Sequence, residues 1–234
     1  MKFKIDNQIF EKFPKLNVGI LVCKNINNEG LSEEVINFIR IREKEINSQF
    51  TPETLSQNPK INVWREAYRS FGAKPKENKS SVESLYQGTF KDKGLRHINK
   101  IVDIYNYISL KHIVPVGGED LDKVQGVINL AFAKENEPSV LLLGDKESRP
   151  PHEGEVIYKD EVSAICRRFN WREADRTKFT EETKNAVLIT EGLPPVNKEE
   201  IKVILGEMEG LIKKFCGGEI NQFLLNKDDS EIEF

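Results

Sequence analysis

Apolar positions along the chain fall into a small set of periods. Asn17 to Lys24 is a short apolar run that predicts a buried strand, and Ser32 to Phe50 places Val35, Phe38, Ile39 and Ile46 at helical spacing behind a serine cap. Thr51 to Lys60 holds two prolines and predicts a connection into a helix over Ile61 to Phe71, with Trp64, Tyr68 and Phe71 as a core stripe and Gly72 as its stop. Ser80-Ser-Val-Glu83 reads as a capping box: the serine hydroxyl accepts from the first helix amides and the glutamate reaches back, so a helix starts there and runs to about Phe90. The next helix, Ile98 to Lys111, has Ile98, Ile101, Val102, Tyr105 and Ile108 on its apolar side. It must stop near Pro115 and the Gly117-Gly118 pair, which predict a glycine loop. Asn99, Asp103 and Asn106 follow at i, i+4 and i+7, so one stripe of this helix carries two amides and a carboxylate, a site-like face.

After that helix the period changes. Val127 to Ala133 alternates, Ser139 to Leu143 is continuously apolar, and Glu155 to Tyr158 with Ser163 to Phe169 predict a hairpin around Lys159-Asp160-Glu161. Ala186 to Ile189 predicts another strand. Lys198 to Cys216 returns to helical spacing and stops at Gly217-Gly218, before a last strand near Ile220 to Leu225. Helices gathered first and strands later argue for an α+β fold over βαβ alternation. The length suits a single domain, with an amino-terminal layer over 1–60, a core over 61–196 and a carboxy-terminal helix and strand over 197–234.

Composition narrows the function classes. With 38% hydrophobic and 31% charged residues the chain is a globular protein, and no apolar run approaches the roughly 20 residues of a spanning helix. Met1 to Phe10 alternates charged and apolar residues instead of building a signal-peptide core, so a cytoplasmic protein with no membrane partner is expected. Three widely spaced cysteines, Cys23, Cys166 and Cys216, predict neither disulfides nor a zinc site, and no metal or cofactor is expected. His97, His112 and His152 form no ligand pair, no Gly-x-Ser-x-Gly elbow exists, and Gly117-Gly118 is not a phosphate loop. Metal hydrolysis, a serine triad and nucleotide binding therefore lack support. A net charge of -3 argues against indiscriminate nucleic-acid binding, DNA included. Two segments nevertheless concentrate cations: Arg65, Arg69 and Lys74, and the aromatic-interleaved run Arg167-Arg168-Phe169-Asn170-Trp171-Arg172. These suit phosphate contact and base stacking at a single-stranded RNA end. Equally, they suit a solvated helix face and a surface network in which the arginines pair with Glu173, Asp175, Glu181 and Glu182.

The run from Asn99 to Pro115, Asn-x-x-x-Asp-x-x-Asn followed nine residues on by proline, resembles the tRNA-editing (B3/4) domain of the phenylalanyl-tRNA synthetase beta subunit. Val156 to Gly192 resembles the second half of that domain in the same order. Trp64-Arg-Glu-Ala-Tyr-Arg-x-Phe-Gly, Lys74-Pro-Lys and Ser80-Ser-Val-Glu resemble free-standing relatives, and coverage runs from about Ile61 to Val196. The resemblance implies a β-rich core layered with helices. Asn106 matches the asparagine that lines the editing pocket, Tyr105 replaces a threonine beside it, and Gly117 stands where the family has a histidine in Gln-Pro-x-His. Glu191 falls two residues late of the glutamate that reads a tyrosine hydroxyl, and Cys166-Arg-Arg-Phe-Asn replaces a Gly-Ile-Met-Gly-Gly turn.

The expected function is a stand-alone aminoacyl-tRNA deacylase, an ester hydrolase acting on mischarged tRNA in trans. Its ester substrate is already activated and needs mainly an oriented water and a polarised carbonyl. Expected catalytic positions are Asn99, Asp103, Asn106, Gly117 and Gly118. Expected substrate contacts are Tyr105, Ser109, Asp120 and Glu191, and expected tRNA contacts are Arg65, Arg69, Lys74, Arg167, Arg168 and Arg172. The partner is tRNA, with or without a synthetase. The alternatives are a non-catalytic tRNA-binding or synthetase-associated module, favoured by the missing histidine, and a small-metabolite binder using the same pocket.

Overall fold

Two β-sheets organise the computed structural model, which describes residues 1–234. The chain runs β1 (Lys2–Ile5), α1 (Asn7–Lys12), β2 (Asn17–Lys24), α2 (Glu33–Gln49), α3 (Pro59–Ser70), α4 (Ser81–Thr89), α5 (Lys100–His112), β3 (Val116–Asp120), β4 (Val127–Phe132), β5 (Val156–Lys159), β6 (Ala164–Arg167), β7 (Arg172–Glu173), β8 (Ala186–Gly192), α6 (Lys198–Phe215), β9 (Glu219–Leu225) and β10 (Glu231–Glu233). One sheet has the order β10-β1-β4-β5-β6-β7, antiparallel except for the parallel β1–β4 pair. The other, β3-β8-β2-β9, is antiparallel throughout. The class is α+β.

The four-stranded sheet is buried on both faces at its centre, which is why β2 and β8 read as unbroken apolar runs. Leu21, Cys23, Ala186 and Leu188 meet the apolar sides of α5 and α6 through Ile101, Ile104, Ile108, Ile201, Ile204 and Met208. The opposite face, with Val18, Ile20, Val22, Val187 and Ile189, joins the core that continues through Leu130, Val156, Tyr158 and Ile165 of the six-stranded sheet. The aromatic stripe of α3 is core: Trp64 and Tyr68 are buried, and the Trp64 ring lies edge-on to Phe169 at 5.2 Å.

Helix starts follow the local signals. Ser32 caps α2 by accepting from the Val35 amide, and Asn197 caps α6 by accepting from the Glu200 amide. Ser80 caps α4 by accepting from the Glu83 amide, but the capping box is half-formed, because the Glu83 carboxyl turns to Arg65 instead of reaching back. Two expectations change. Gly117-Gly118 is not a loop but the middle of β3, paired with Ile189 and Leu188 of β8. Ser139 to Leu143 is not a full strand. Val140 and Leu142 each make one isolated bridge while Leu141 and Leu143 are exposed, and Pro138 and Gly144 bound the segment. The short elements β1, α1, β7 and β10 were not visible in the pattern: β1 and β10 owe their existence to partners far along the chain, and the two-residue β7 and six-residue α1 are too short to show a period.

Candidate functional site: a polar cavity between the sheets

A cavity of about 380 Å³ opens between the two sheets, at the small end of the roughly 300–1,000 Å³ usual for small-ligand sites. Strand alternation builds one wall. Gly117 and Glu119 of β3 face inward, as do Ile189 and Glu191 of β8, while their neighbours Gly118 and Leu188 turn toward the helical layer. Tyr158 of β5, Cys166 of β6 and the β7 pair Arg172-Glu173 form the facing wall. Ser81, Ser84 and Leu85 of α4 and Tyr105, Asn106 and Ser109 of α5 close the sides.

The turn between β6 and β7 puts two consecutive residues, Arg168 and Phe169, at φ +50° and +66°, a left-handed conformation that side chains other than glycine rarely adopt. Phe169 is anchored at 0% exposure against Trp64 and Phe13, and the Ser81 amide donates to the Asn170 carbonyl at 2.8 Å. The strained turn thereby presents Asn170 and Trp171 to the cavity.

Three glutamates, from three strands, dominate the electrostatics. Glu173 Oε1 accepts from the Gly118 amide at 3.1 Å, and burial pushes its carboxyl up to about 7. Glu191 Oε1 accepts from the Tyr158 hydroxyl at 2.9 Å, and burial pushes that carboxyl up to about 8. Glu119, 2% exposed, is driven well above the carboxylate range by burial and by the nearby Glu173 charge. No cation answers them. Arg172 turns to the Leu143 carbonyl and to Asp145 at 2.8 Å, and Arg176 is taken by Asp160 at 2.8 Å and by the Lys123 carbonyl at 2.7 Å. The Cys166 thiol is held well above its usual range by burial and by the same glutamates, so it is no thiolate nucleophile. No histidine lines the cavity.

Hydrogen-bond capacity is left unspent here. Ser81 Oγ, Glu119 Oε2 and Asn170 Nδ2 are buried without a partner, although Asn170 Oδ1 accepts from the Tyr68 hydroxyl at 3.0 Å. Orphaned buried polar atoms cost about 1–3 kcal/mol each, and a concentration of them around one void marks a place where a ligand supplies the missing partners.

The cavity brings together Tyr105, Asn106, Ser109, Gly117, Gly118, Arg172 and Glu191 from the sequence-expected set. Ser109 spends its hydroxyl on the Val114 carbonyl at 2.6 Å, and Tyr105 is partly buried, its phenol held well above its usual range by desolvation. Glycine is required along the β3 edge. A Cβ on Gly118 would stand 2.2 Å from the Val187 carbonyl oxygen, and one on Gly117 would stand 2.5 Å from Glu173 Oε1.

Asn99, Asp103 and Asp120 lie elsewhere, each with its side-chain oxygens occupied. Asn99 is the N-cap of α5, accepting from the Val102 amide at 3.1 Å. Asp103 accepts from the Ile98 amide at 3.3 Å and binds His97 Nδ1, which closes the helix entry. Asp120 takes the Thr183 hydroxyl at 2.8 Å, the Asp122 amide at 3.1 Å and Lys123 at 3.0 Å.

The cationic segments divide in the same way. Arg167 is 5% exposed in a two-pronged pair with Glu155 at 2.7 and 2.9 Å, so it offers nothing to a phosphate. Arg168 bonds Asn78 at 2.6 Å and stacks on Trp171 at 4.3 Å, with Arg172 at 5.3 Å from the same ring. Arg65 pairs with Glu83 at 2.6 Å. Arg69, Lys74 and Lys76 are exposed and share with Arg65 a groove of about 430 Å³. Helix α4 links groove and cavity, since Glu83 meets Arg65 while Ser81, Ser84 and Leu85 line the cavity.

Sequence reasoning missed Glu119, Glu173, Tyr158, Ser81 and Asn170 as site residues. Glu119 directly follows the glycine pair, which is the one local signal that could have found it. Glu173 reads as an ion-pair partner of neighbouring arginines, yet it pairs with none.

Comparison with known proteins places this arrangement. The family model described as the B3/4 domain matches residues 63–217. The phenylalanine–tRNA ligase beta subunit of Fusobacterium nucleatum is 33% identical over 113 residues, which are 48% of this chain and 14% of the relative. That of Colwellia psychrerythraea is 38% identical over 73 residues, 31% of this chain and 9% of the relative. The chain thus spans a small fraction of the length of these relatives. A crystal structure of an N-terminal fragment of the phenylalanyl-tRNA synthetase beta subunit from Pyrococcus horikoshii superposes with a TM-score of 0.47 at 12% identity, covering 95% of this chain and 53% of that one. With the family match spanning well over half of its residues, the chain belongs to the B3/4 domain family.

Proposed function

We propose that the protein is a tRNA-editing hydrolase that removes a wrongly attached amino acid from tRNA in trans. The observation that carries this reading is the cavity between the sheets, of a size for a small ligand and rimmed by buried polar atoms without partners, in a chain of the B3/4 family. An aminoacyl ester needs no strong nucleophile. A water held against the carbonyl, and donors for the oxygen that gains charge, supply the reaction. Asn106, which makes no side-chain hydrogen bond within the protein, and Ser81 Oγ can orient that water. The logic is a second sieve: binding alone separates similar amino acids by only about 10- to 200-fold, and a hydrolytic site multiplies that ratio. The exposed Arg69 and Lys74, with Lys76, and the Trp171 ring flanked by Arg168 and Arg172 offer phosphate and stacking contacts for the acceptor strand.

A second reading, a tRNA-binding module without hydrolysis, is favoured by one observation: no imidazole reaches the cavity, and Gly117 occupies the place of the histidine in the resembling domains. One experiment separates the two. The purified protein is mixed with a panel of correctly and incorrectly charged tRNAs, and ester release is followed beside tRNA binding. Selective release from one mischarged species establishes editing, whereas binding with no release from any species establishes the module.

A further inference from the structure

We propose that Glu173 is the anchor for the α-ammonium group of the bound aminoacyl ester, so that the site admits only esters whose amino group is free. The inference rests on the editing reading and adds to it the chemical class of group that the cavity selects.

The geometry begins with what surrounds Glu173. Its Oε1 lies directly over Gly117, at 2.5 Å from where a Cβ would stand, and takes a single hydrogen bond, from the Gly118 amide at 3.1 Å. A carboxylate has about four lone-pair sites, so most of its accepting capacity faces the cavity. The other titratable groups that share the cavity are Glu119 from β3, Glu191 from β8, Tyr158 from β5, Cys166 from β6, Tyr105 from α5 and, beside Glu173 on β7, Arg172, the one group among them that carries a positive charge. Arg172 turns away to Asp145, and Arg176, whose charge reaches Glu119, is held by Asp160. The cavity therefore has an excess of acidic groups, and the cations nearest to them are bonded to other carboxylates, Arg172 to Asp145 and Arg176 to Asp160.

Acidic residues together do not define a ligand, but an independent feature points to one. Asn170, 7% exposed, arrives on the strained β6–β7 turn and leaves Nδ2 without a partner in the same cavity. Glu119 Oε2, in the same cavity, also lacks a partner, whereas Glu191 already accepts from Tyr158.

Depth selects which carboxyl meets the amine. Glu119 and Glu191 are 2% and 3% exposed, whereas Glu173 is partly accessible. A substrate attached to tRNA enters ester-last, leaving its carbonyl toward the opening. The α-ammonium is only two bonds from that carbonyl carbon, so it sits at the level of Glu173 and the Gly117-Gly118 edge. The side chain points deeper, toward Glu119, Asn170 and the Glu191–Tyr158 pair. Glu173, raised by burial to about 7, ionises in the range where an α-amino group, at about 7.7–8.0, is still protonated. Affinity should then rise as pH climbs toward about 7 and fall again above about 8.

The test uses 3′-aminoacylamino-3′-deoxyadenosines with neutral side chains from glycine to tyrosine, each with a free or an N-acetylated amine, titrated by calorimetry into wild-type protein and Glu173→Gln between pH 6 and 9. The glutamine keeps the acceptor for the Gly118 amide and removes the cost of burying a charge, so the variant folds, as a thermal melt at pH 8 checks. Expected is at least tenfold tighter binding of the free amine for some side chain, a bell-shaped pH profile, and collapse of both in Glu173→Gln, while Glu191→Gln keeps the free-to-acetyl ratio. Equal binding of free and acetylated forms, a ratio that survives Glu173→Gln, or no binding of either form by any pair overturns the proposal. The editing reading is judged separately. If free amines bind as expected and no charged tRNA is deacylated, editing falls and amine recognition stands. If tRNA is deacylated with the amine acetylated or free alike, editing stands and the anchor falls.

Discussion

The entry and the middle of α5 carry the same kinds of residue and do opposite things. At its entry, Asn99 and Asp103 are buried with their side-chain oxygens engaged, by the Val102 and Ile98 amides and by His97, while Asn28 accepts from the Ile101 amide at 2.8 Å. Two turns on, Asn106 faces a cavity in which Ser81, Asn170 and Glu119 hold polar atoms without partners and three carboxyls lack a counter-charge. A polar residue in a helix stripe says only that hydrogen bonding is needed there. Whether the protein or a ligand supplies the partner separates a cap from a site, and it is visible only once the surroundings are assembled.

That contrast can be broken by substitution, because the helix entry and the cavity should respond with opposite signs. Asp103→Ala removes the acceptor that closes the helix entry and leaves His97 and the Ile98 amide unpaired, which should cost about 2–4 kcal/mol in urea unfolding, with deacylation per folded molecule unchanged. Glu191→Gln should act the other way. Below pH 4.5 the carboxyl is protonated in both folded and unfolded chains. As pH rises the unfolded chain loses its proton first, so stability falls until the native group ionises at about 8 and then levels off. Glu173 adds the same loss up to about 7. Replacing Glu191 by glutamine removes its share, so the variant should be more stable than wild type by a few kcal/mol at pH 8, with little difference at pH 4. A stability that rises between pH 5 and 8 in the wild type relative to this variant would contradict the burial of that carboxyl.

Gly118→Ala sharpens the contrast within one strand. Its Cβ would meet the Val187 carbonyl, which is backbone and cannot yield, so the β3–β8 pairing should lose about 2 kcal/mol. Asn106→Ala should leave stability within about 0.5 kcal/mol, since no intramolecular bond is lost, and lower deacylation at least tenfold, about 1.4 kcal/mol in the barrier. The smallest effect belongs to the exposed groove. Arg69→Ala and Lys74→Ala should each weaken tRNA binding a few-fold and flatten its salt dependence by about one unit, whereas Arg167→Ala should destabilise the fold by stranding Glu155.

How much of this was legible in the sequence depends on how local each cause is. Helices α2, α4 and α6 were readable to within a residue or two, because Ser32, Ser80 and Asn197 cap them and the apolar period runs uninterrupted. Strand β2 was readable because burial on both faces leaves no polar position. Gly117-Gly118 misled, since glycines predict a loop unless one knows that Val187 and Glu173 lie where side chains would go. The site divided along the same line. Asn106, Tyr105, Ser109, Glu191 and the glycines face the cavity together, but Glu119 and Glu173 look like ordinary surface acids until three strands bring them together. Arg167 looked available for phosphate until the fold buried it against Glu155.

The most direct test of the account is to measure deacylation of mischarged tRNA by wild type, Asn106→Ala and Asp103→Ala side by side, normalised to the folded fraction of each. The account predicts rapid release by wild type from one mischarged species, a loss of at least tenfold in Asn106→Ala, and a wild-type rate per folded molecule in Asp103→Ala. Equal activity of wild type and Asn106→Ala, or loss confined to Asp103→Ala, would place the chemistry at the helix entry and contradict the cavity as the site.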